Sequence, residues 1–259
     1  MNRTVCFDCG TSQVKYLILD ENPSSGFINN HIEENIEKII SKKYENVVFT
    51  GSNAEKYAQN YDAIIVNELQ AIGHTIKYMG YDNGLVVNIG TGTSYVKYDN
   101  GNVQHLIGTG LGGGTFLGLS QRLLHTSDLE KVEDIAITGD LGHINTQIKD
   151  ITYQSLSWFK GDLTVANFSK SGAEKNDIAI GIHSLIAEPI MSILKSLCIG
   201  NFFELIVFSG GMIKNSLFRN FLLKYSDIFN LNTTFFANPD FATCYGAILL
   251  SEKENIYCL

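Results

Sequence analysis

One supersecondary unit occurs twice in this sequence, and the repeat limits the folds available to the chain. The unit is a short apolar strand, a loop of glycine and hydroxyl residues, and a second strand that returns antiparallel to the first. One copy spans residues 4–20 and the other spans residues 85–99, about 80 residues further on. Each copy opens a stretch in which helix and strand patterns alternate. The repeat therefore predicts an α/β fold made of two similar lobes that share a cleft.

The remaining hydrophobic patterns supply further elements for each lobe. Helical spacing occurs at residues 32–41, 53–61, 69–78, 117–124, 177–197 and after Gly246, and buried strands are predicted at residues 47–50, 64–66 and 205–208. We expect an N-terminal lobe at residues 1–80, completed by the C-terminal helix 245–259, and a C-terminal lobe at residues 81–244. The helix at 177–197 is apolar on more than one face, as in a core helix or a subunit contact.

Composition and charge favour a small-molecule ligand. The 259 residues carry a formal net charge of -8 and no run of Lys and Arg, which argues against nucleic acid or an anionic membrane as the partner. Neither a signal peptide nor an apolar stretch of membrane-spanning length is recognised, so we expect a cytoplasmic protein. The five cysteines are scattered, and even Cys6 and Cys9, with C-x-x-C spacing, are expected to be reduced thiols.

The first candidate site is the loop of the first hairpin. Gly10, Thr11 and Ser12 offer backbone N–H groups and hydroxyls to phosphate oxygens, and Lys15 follows on the second strand. Asp8, at the end of the first strand, is suited to hold Mg²⁺ through water. An ordinary hairpin turn has a similar composition, so the loop alone does not decide the function.

The loop of the second hairpin contains Gly90, Thr91, Gly92 and Thr93. It has more donors and less bulk than the first loop, and glycine lets the backbone approach an anion closely because there is no Cβ atom. Alone it is a polar turn. Paired with the first loop, it predicts a second phosphate clamp.

Two further glycine turns are suited to hold the rest of a nucleotide. Gly112, Gly113 and Gly114 lie in a segment that matches G-x-G-x-x-G, but the segment is mid-chain and does not follow the first strand. We therefore interpret it as a phosphate cradle at a helix N-terminus. Gly210 and Gly211 end a buried strand and would form a flat shelf for adenosine, although an ordinary βα turn has the same pattern.

Glu68 is the candidate catalytic base, because it follows a predicted strand end between the two loops. Exposed glutamates at strand ends are usually only solvated, so its position and not its type favours this role. His105 precedes the glycine-rich segment and is close in sequence to the second loop. The other histidines show no metal-ligand spacing and are expected to be structural: His31, His74, His125, His143 and His183.

Taken together, these segments resemble the actin-like, sugar-kinase and Hsp70 ATPase superfamily, and within it the type II pantothenate kinases. The motifs, with their first residue numbers, are D-x-G-T-x-x-x-K at 8, N-E-x-x-A at 67, N-I-G-T-G-T-S at 88, G-T-x-L-G-G-G-T-F-x-G-L at 108, G-D-L-T-x-A-N-F at 161, F-S-G-G at 208 and Y-G-A at 245. This ordered series covers nearly the whole chain. The resemblance implies duplicated ribonuclease H-like lobes with a nucleotide cleft between them.

The resemblance also implies roles for individual residues. Glu68 would activate the pantothenate hydroxyl, Thr91 and His105 would lie near pantothenate, and Phe168 would lie near the nucleotide. ATP and Mg²⁺ would be the cofactors, with Asp8 holding the ion through water. The family has an Arg against pantothenate where this sequence has His105, whose neutral imidazole lacks a fixed charge. A homodimer is implied, and a CoA thioester is a further candidate ligand.

Three hypotheses about function follow. The leading one is ATP-dependent phosphorylation of pantothenate to 4'-phosphopantothenate, the first step of coenzyme A biosynthesis. A second is a kinase of the same fold that acts on another small hydroxylated metabolite, such as pantetheine or an amino sugar. A third is a sensor that binds a nucleotide or CoA thioester without turnover. Asp8, Glu68 and both loops favour a catalyst over a sensor.

Overall fold

The structure is a computed structural model that describes residues 3–152 and 161–257. Its strands are β1 (Thr4–Cys9), β2 (Val14–Leu19), β3 (Ser24–Ile28), β4 (Asn46–Thr50), β5 (Ile64–Ile65), β6 (Asn83–Ile89), β7 (Thr93–Asp99), β8 (Asn102–Thr109), β9 (Thr146–Gln147), β10 (Thr164–Ala166), β11 (Leu205–Ser209) and β12 (Thr234–Phe235). Its α-helices are α1 (Ile32–Ile40), α2 (Ala54–Ala58), α3 (Glu68–Tyr78), α4 (Gly113–Leu124), α5 (Leu129–Ala136), α6 (Leu141–Ile144), α7 (Ile148–Ile151), α8 (Lys175–Leu197), α9 (Ser216–Phe229) and α10 (Ala242–Tyr257). The last two residues of the predicted C-terminal helix, including Cys258, lie outside the described residues.

Two sheets with the same topology confirm the predicted duplication. Within the described ranges, the first sheet has the order β3-β2-β1-β4-β5, and the second has the equivalent order β8-β7-β6-β11-β12. In each sheet a three-stranded antiparallel meander is extended by two strands that run parallel to its first strand. The β1–β2 and β6–β7 hairpins occupy matching places, so their loops lie at the same end of each sheet.

Two helices fill the space between the sheets. Helix α3 packs its apolar face on the second sheet, with Ile72 and Ile76 against Val86 and Val96. Helix α10 packs on the first sheet through buried residues that include Ala247. Each helix thus covers the sheet that it does not directly follow in the chain, and the two helices cross each other in the middle.

The crossing of α3 and α10 is a contact between backbones. A Cβ atom placed on Gly246 of α10 would overlap the carbonyl group of Ala71 in α3. Because any larger residue at 246 would push the helices apart, the Y-G-A motif has a packing reason for its glycine.

Helix α8 runs through the core of the second lobe. Ile182, Ile186, Ile190 and Leu194 are buried against the outer face of the second sheet, and the Tyr95 hydroxyl of β7 donates to the Ile190 carbonyl at 2.7 Å. The apolar residues of α8 are therefore core residues. A role of α8 as a subunit contact stays a prediction. Among the described residues, α8 alone has the length and hydropathy of a membrane span, contrary to our expectation, but most of that stretch is buried inside the protein.

Both lobes contain a third antiparallel strand that the sequence patterns did not reveal. β3 and β8 are edge strands with largely exposed residues, so neither shows apolar alternation. In addition, Gly108 and Thr109 belong to β8, so the glycine-rich segment is divided between a strand and helix α4. Helix α5 was also not predicted, while the proposed division between the lobes at residue 80 stays a prediction.

We predict that Gly246→Ala lowers the free energy of unfolding by roughly 1 to 3 kcal/mol, because the added methyl group must separate two packed helices. This loss would exceed the gain in helix propensity from glycine to alanine, about 1 kcal/mol. The free energy of unfolding of each variant is measured by chemical denaturation. Gly118→Ala in α4 is the matched control, since its Cβ would meet only the Arg122 guanidinium, at 3.5 Å. Equal stability changes in the two variants would contradict the packing argument.

Candidate active site

A cleft of about 660 Å³ opens between the lobes at the loop end of both sheets. It is lined by residues from both hairpin loops, the start of α3, strand β8, the start of α4 and the turn after β11. The predicted site residues on its wall are Asp8, Gly10, Thr11, Ser12, Lys15, Glu68, Gly90, Thr91, Gly92, Thr93, His105, Gly113, Gly114, Gly210 and Gly211.

The first loop presents exposed donors above a buried acid. Thr11 and Ser12 are exposed at the tip of the β1–β2 hairpin, whereas Asp8 is buried at the end of β1. Asp8 and Lys15 are directly opposite each other in the ladder, and the Lys15 ammonium is 4.0 Å from the Asp8 carboxylate. The hairpin thus places hydroxyls, one cation and one carboxylate on the same wall of the cleft.

The second loop is held in place by the glycines at the start of α4. The Gly113 and Gly114 N–H groups donate to the Gly90 and Thr91 carbonyls at 2.7 and 2.9 Å. A Cβ atom on Gly112 would lie 2.8 Å from the Gly92 backbone, which explains the need for glycine there. The predicted phosphate cradle therefore needs correction, because two of its N–H donors are already engaged by the second loop. Gly112 is buried behind the loop and is not on the cleft wall.

The two loops meet across the cleft. The Ser12 hydroxyl of the first loop and the Thr91 hydroxyl of the second are 2.8 Å apart and share a hydrogen bond. Residues 79 positions apart in the chain are thereby brought to one point. The expectation that both loops face the same ligand depends on this juxtaposition.

Glu68 lies beside the loops as the first residue of α3. The helix starts here because the Asn67 side chain caps it, accepting from the Leu69 and Gln70 N–H groups at 3.0 and 3.2 Å. Burial raises the pKa of the half-buried Glu68 carboxylate, and the Lys15 ammonium opposes this effect. The result is a partly desolvated carboxylate at the mouth of the cleft.

Asp8 belongs to the same group of charges. Burial raises the pKa of Asp8 to about 6, the Lys15 ammonium acts in the opposite direction, and the Glu68 carboxylate raises it further. Two acids therefore share the field of one lysine, and the cleft has a surplus of negative charge.

The turn after β11 forms the predicted shelf. Gly210 has φ +96°, and a Cβ atom there would overlap the backbone of Ile89 in β6, so glycine is required. Its N–H group donates to the Pro239 carbonyl at 2.8 Å. The helix expected directly after the turn is a short 3-10 helix, Gly211–Lys214, and α9 begins only at Ser216 with Asn215 as its cap.

Phe168 is not on the cleft wall, in contrast to its predicted place near the nucleotide. Its N–H group donates to the Asn145 side-chain oxygen at 2.9 Å, and its ring lies 3.3 Å from where a Cβ atom on Gly181 of α8 would stand. Phe168 therefore lies in the helical part of the second lobe. His105, by contrast, is exposed in β8 next to an irregularity in its pairing with β7, and it does face the cleft.

Several cleft residues had not been singled out from the sequence. Asn88 is the last residue but one of β6, just before the second loop, and accepts a hydrogen bond from the Ser209 hydroxyl at 3.1 Å. Its place before a glycine loop, like that of Asp8, was a usable signal. Thr243 comes from the start of α10, and Asp240 from the short turn before it. No local pattern marks them, because only the fold brings them to the cleft.

Asp8 also provides the oxygen donor that a magnesium ion needs. In residues 3–152 and 161–257 there is no group of three or more His, Cys, Asp or Glu side chains arranged to hold a metal. A single carboxylate fits Mg²⁺, which keeps several waters and takes other ligands from phosphate groups.

Comparison with known proteins gives one family and a consistent fold. The family model described as Fumble matches residues 81–244. A type II pantothenate kinase from Staphylococcus haemolyticus is 28% identical over 269 residues, covering 95% of this chain and 99% of the relative.

Solved structures share the two-lobed architecture. The activator of 2-hydroxyisocaproyl-CoA dehydratase from Clostridium difficile, with bound ADPNP, has a TM-score of 0.68 at 20% identity and covers 99% of this chain and 98% of its own. A ROK family glucokinase from Streptomyces griseus, in complex with glucose and AMPPNP, has a TM-score of 0.61 at 13% identity and covers 97% and 99%. These likenesses confirm the predicted fold class, duplicated α/β lobes around a nucleotide cleft.

We predict that Asp8 makes stability depend on pH. Its pKa in the folded protein, about 6, is above its ordinary value of 3.8, so the folded state binds the proton more tightly. The stabilisation is complete below the unfolded pKa and is lost as the pH rises through about 6, by roughly 2 to 3 kcal/mol. Asp8→Asn should remove this loss, as measured by urea denaturation from about pH 4 to pH 7. The exposed Asp62→Asn is the control; parallel curves for wild type and Asp8→Asn would refute the assignment.

Proposed function

Because this chain belongs to the Fumble family, we propose that it transfers the γ-phosphoryl group of ATP to the primary hydroxyl of pantothenate. The products are ADP and 4'-phosphopantothenate, and the reaction is the first step of coenzyme A biosynthesis. Near full-length similarity to a type II pantothenate kinase supports the choice of substrate. The observation that carries the proposal is the meeting of Ser12 and Thr91 beside Glu68, because it gives one cleft two phosphate loops and a base.

In this proposal the two loops bind the triphosphate from opposite walls. The Thr11 hydroxyl, the backbone N–H group of Gly10 and one of the Ser12 and Thr91 hydroxyls would donate to phosphate oxygens, because the other hydroxyl gives its proton to the Ser12–Thr91 hydrogen bond. Lys15 adds a positive charge near the transferred group. Mg²⁺ held by Asp8 through water would offset the charge of the phosphates during transfer. The shelf at Gly210 and Gly211 would carry the adenosine half.

Glu68 acts as the general base. It accepts the proton of the attacking hydroxyl as the new phosphorus–oxygen bond forms, and the bond from the γ-phosphorus to the bridging oxygen breaks to release ADP. A carboxylate with a raised pKa is a better proton acceptor than a fully solvated one. The capped start of α3 fixes its position.

We propose that His105 contacts the carboxylate of pantothenate, the phosphoryl acceptor. His105 is on the cleft wall, where, among the described residues, Lys15 is the one lysine or arginine. Since Lys15 is already shared by Asp8 and Glu68, a carboxylate on the acceptor would have to rely on His105. This distribution of charge makes pantetheine, which has the same hydroxyl without the carboxylate, the second candidate substrate. The homodimer, cytoplasmic location and binding of a CoA thioester stay predictions.

We predict that Glu68→Gln lowers kcat by about 10² to 10⁴ while nucleotide affinity stays the same, because the amide keeps the shape but cannot accept the proton. The assay is formation of phosphopantothenate with Mg-ATP, together with titration of an ATP analogue. Glu55→Gln, an exposed substitution in α2, is the control. Full activity of Glu68→Gln would remove Glu68 from the mechanism, and a wild type inactive on both pantothenate and pantetheine would sink the proposed function.

A second prediction concerns His105. His105→Arg should lower KM for pantothenate about tenfold, because a guanidinium adds a fixed charge and two parallel donors for a carboxylate, and should leave KM for pantetheine unchanged. Steady-state kinetics with both acceptors at saturating ATP provides the measurement. If KM changes equally for the two acceptors, His105 does not face the carboxylate.

A further inference from the structure

The two lobes also touch at the shelf side of the cleft. Phe27 on edge strand β3 of the first lobe lies beneath Lys214 of the second lobe, with the ammonium 4.1 Å from the ring centroid. The Phe27 ring also packs against Phe241, with centroids 5.3 Å apart. A cation–π contact thus joins the outer strand of one lobe to the short helix that follows the glycine shelf.

Lys214 is linked from this contact to the wall of the cleft. Its ammonium is 2.9 Å from the carboxylate of Asp240, which is only 6% exposed and lines the cleft. Asp240 in turn lies against the shelf, since a Cβ atom on Gly211 would be 3.3 Å from its carboxylate oxygen. Phe27, Lys214, Asp240 and Gly211 therefore form a continuous chain of contacts from the first lobe to the shelf.

The chain has a physical consequence for opening of the cleft. Leaving a nearly buried carboxylate unpaired costs free energy, so the ion pair between Lys214 and Asp240 should persist when the cleft opens. When the lobes separate, Phe27 moves away and the ammonium loses its contact with the ring. Opening at this side of the cleft therefore costs the cation–π contact while the ion pair remains intact.

We propose that Lys214 is a positioning residue that couples closure of the lobes to retention of the nucleotide, so that release of ADP requires the contact between Lys214 and Phe27 to open. The proposal rests on the proposed function because it takes ADP as the product. Lys214 acts through Asp240 and the shelf and does not itself line the cleft.

The test is the dissociation rate of a fluorescent ADP analogue, measured by stopped flow with the full chain and Mg²⁺. Phe27→Leu removes the ring but keeps an apolar side chain and the ion pair, and it should speed dissociation about two- to tenfold. Lys214→Met should do the same or more. Lys214→Arg should restore the slow rate, because a guanidinium also pairs with a carboxylate and stacks on a ring.

A double-mutant cycle separates coupling from general loosening. If Phe27 and Lys214 act through one contact, the double variant Phe27→Leu/Lys214→Met should release ADP no faster than Lys214→Met alone. KM for ATP should rise in these variants while KM for the acceptor stays constant. Lys56→Met is the matched control, because Lys56 covers Tyr57 at 4.8 Å entirely within the first lobe.

The outcomes are distinct. Multiplying effects in the double variant, or an unchanged release rate with only a lower thermal midpoint, would overturn the proposal and leave Lys214 a structural residue. Because release of the ADP analogue is measured without an acceptor, this result is independent of whether pantothenate is phosphorylated. Failure of the proposed function would instead appear as absent phosphoryl transfer in a protein that still binds the ADP analogue.

Discussion

The geometry of the cleft depends on how closely α3 and α10 cross between the two sheets. Gly246 lies directly against the carbonyl of Ala71, so no side chain separates the helices. Helix α3 carries Glu68 at its first residue and packs on the second sheet, whereas α10 packs on the first sheet. The crossing therefore sets the distance between the sheets, and with it the position of Glu68 relative to both hairpin loops.

The charges in the cleft destabilise the free protein and favour the binding of a cation. Burial raises the pKa values of Asp8 and Glu68, and Lys15 lowers both only in part. An acid that is desolvated without a full counter-charge destabilises the fold at neutral pH. A cation that arrives with a nucleotide would relieve this cost. The unfavourable electrostatics of the free protein thus become part of the binding free energy, as is common at functional sites.

The two hairpins and the position of Glu68 could be predicted from the sequence because each depends on residues that are close together in the chain. The two hairpins have apolar strands around Gly and Thr loops, and the position of Glu68 follows from a strand end before a helix. The edge strands β3 and β8 were missed because exposed strands lack alternation. Gly113 and Gly114 were assigned to phosphate because composition does not tell which acceptor a backbone N–H group meets. Asp240 carried no signal, since its role arises only when distant segments pack together.

Three of the contacts between the lobes differ in physical kind, and the difference indicates how the cleft can move. The helix crossing is buried and joins backbone to backbone, so it resists separation. The Ser12–Thr91 hydrogen bond and the Lys214–Phe27 contact are made by exposed or half-exposed side chains, one at the loops and one at the shelf. Exposed contacts of this kind are individually weak, whereas the packed crossing is not. Opening of the cleft would therefore break the two side-chain contacts at lower cost than it would separate the packed helices.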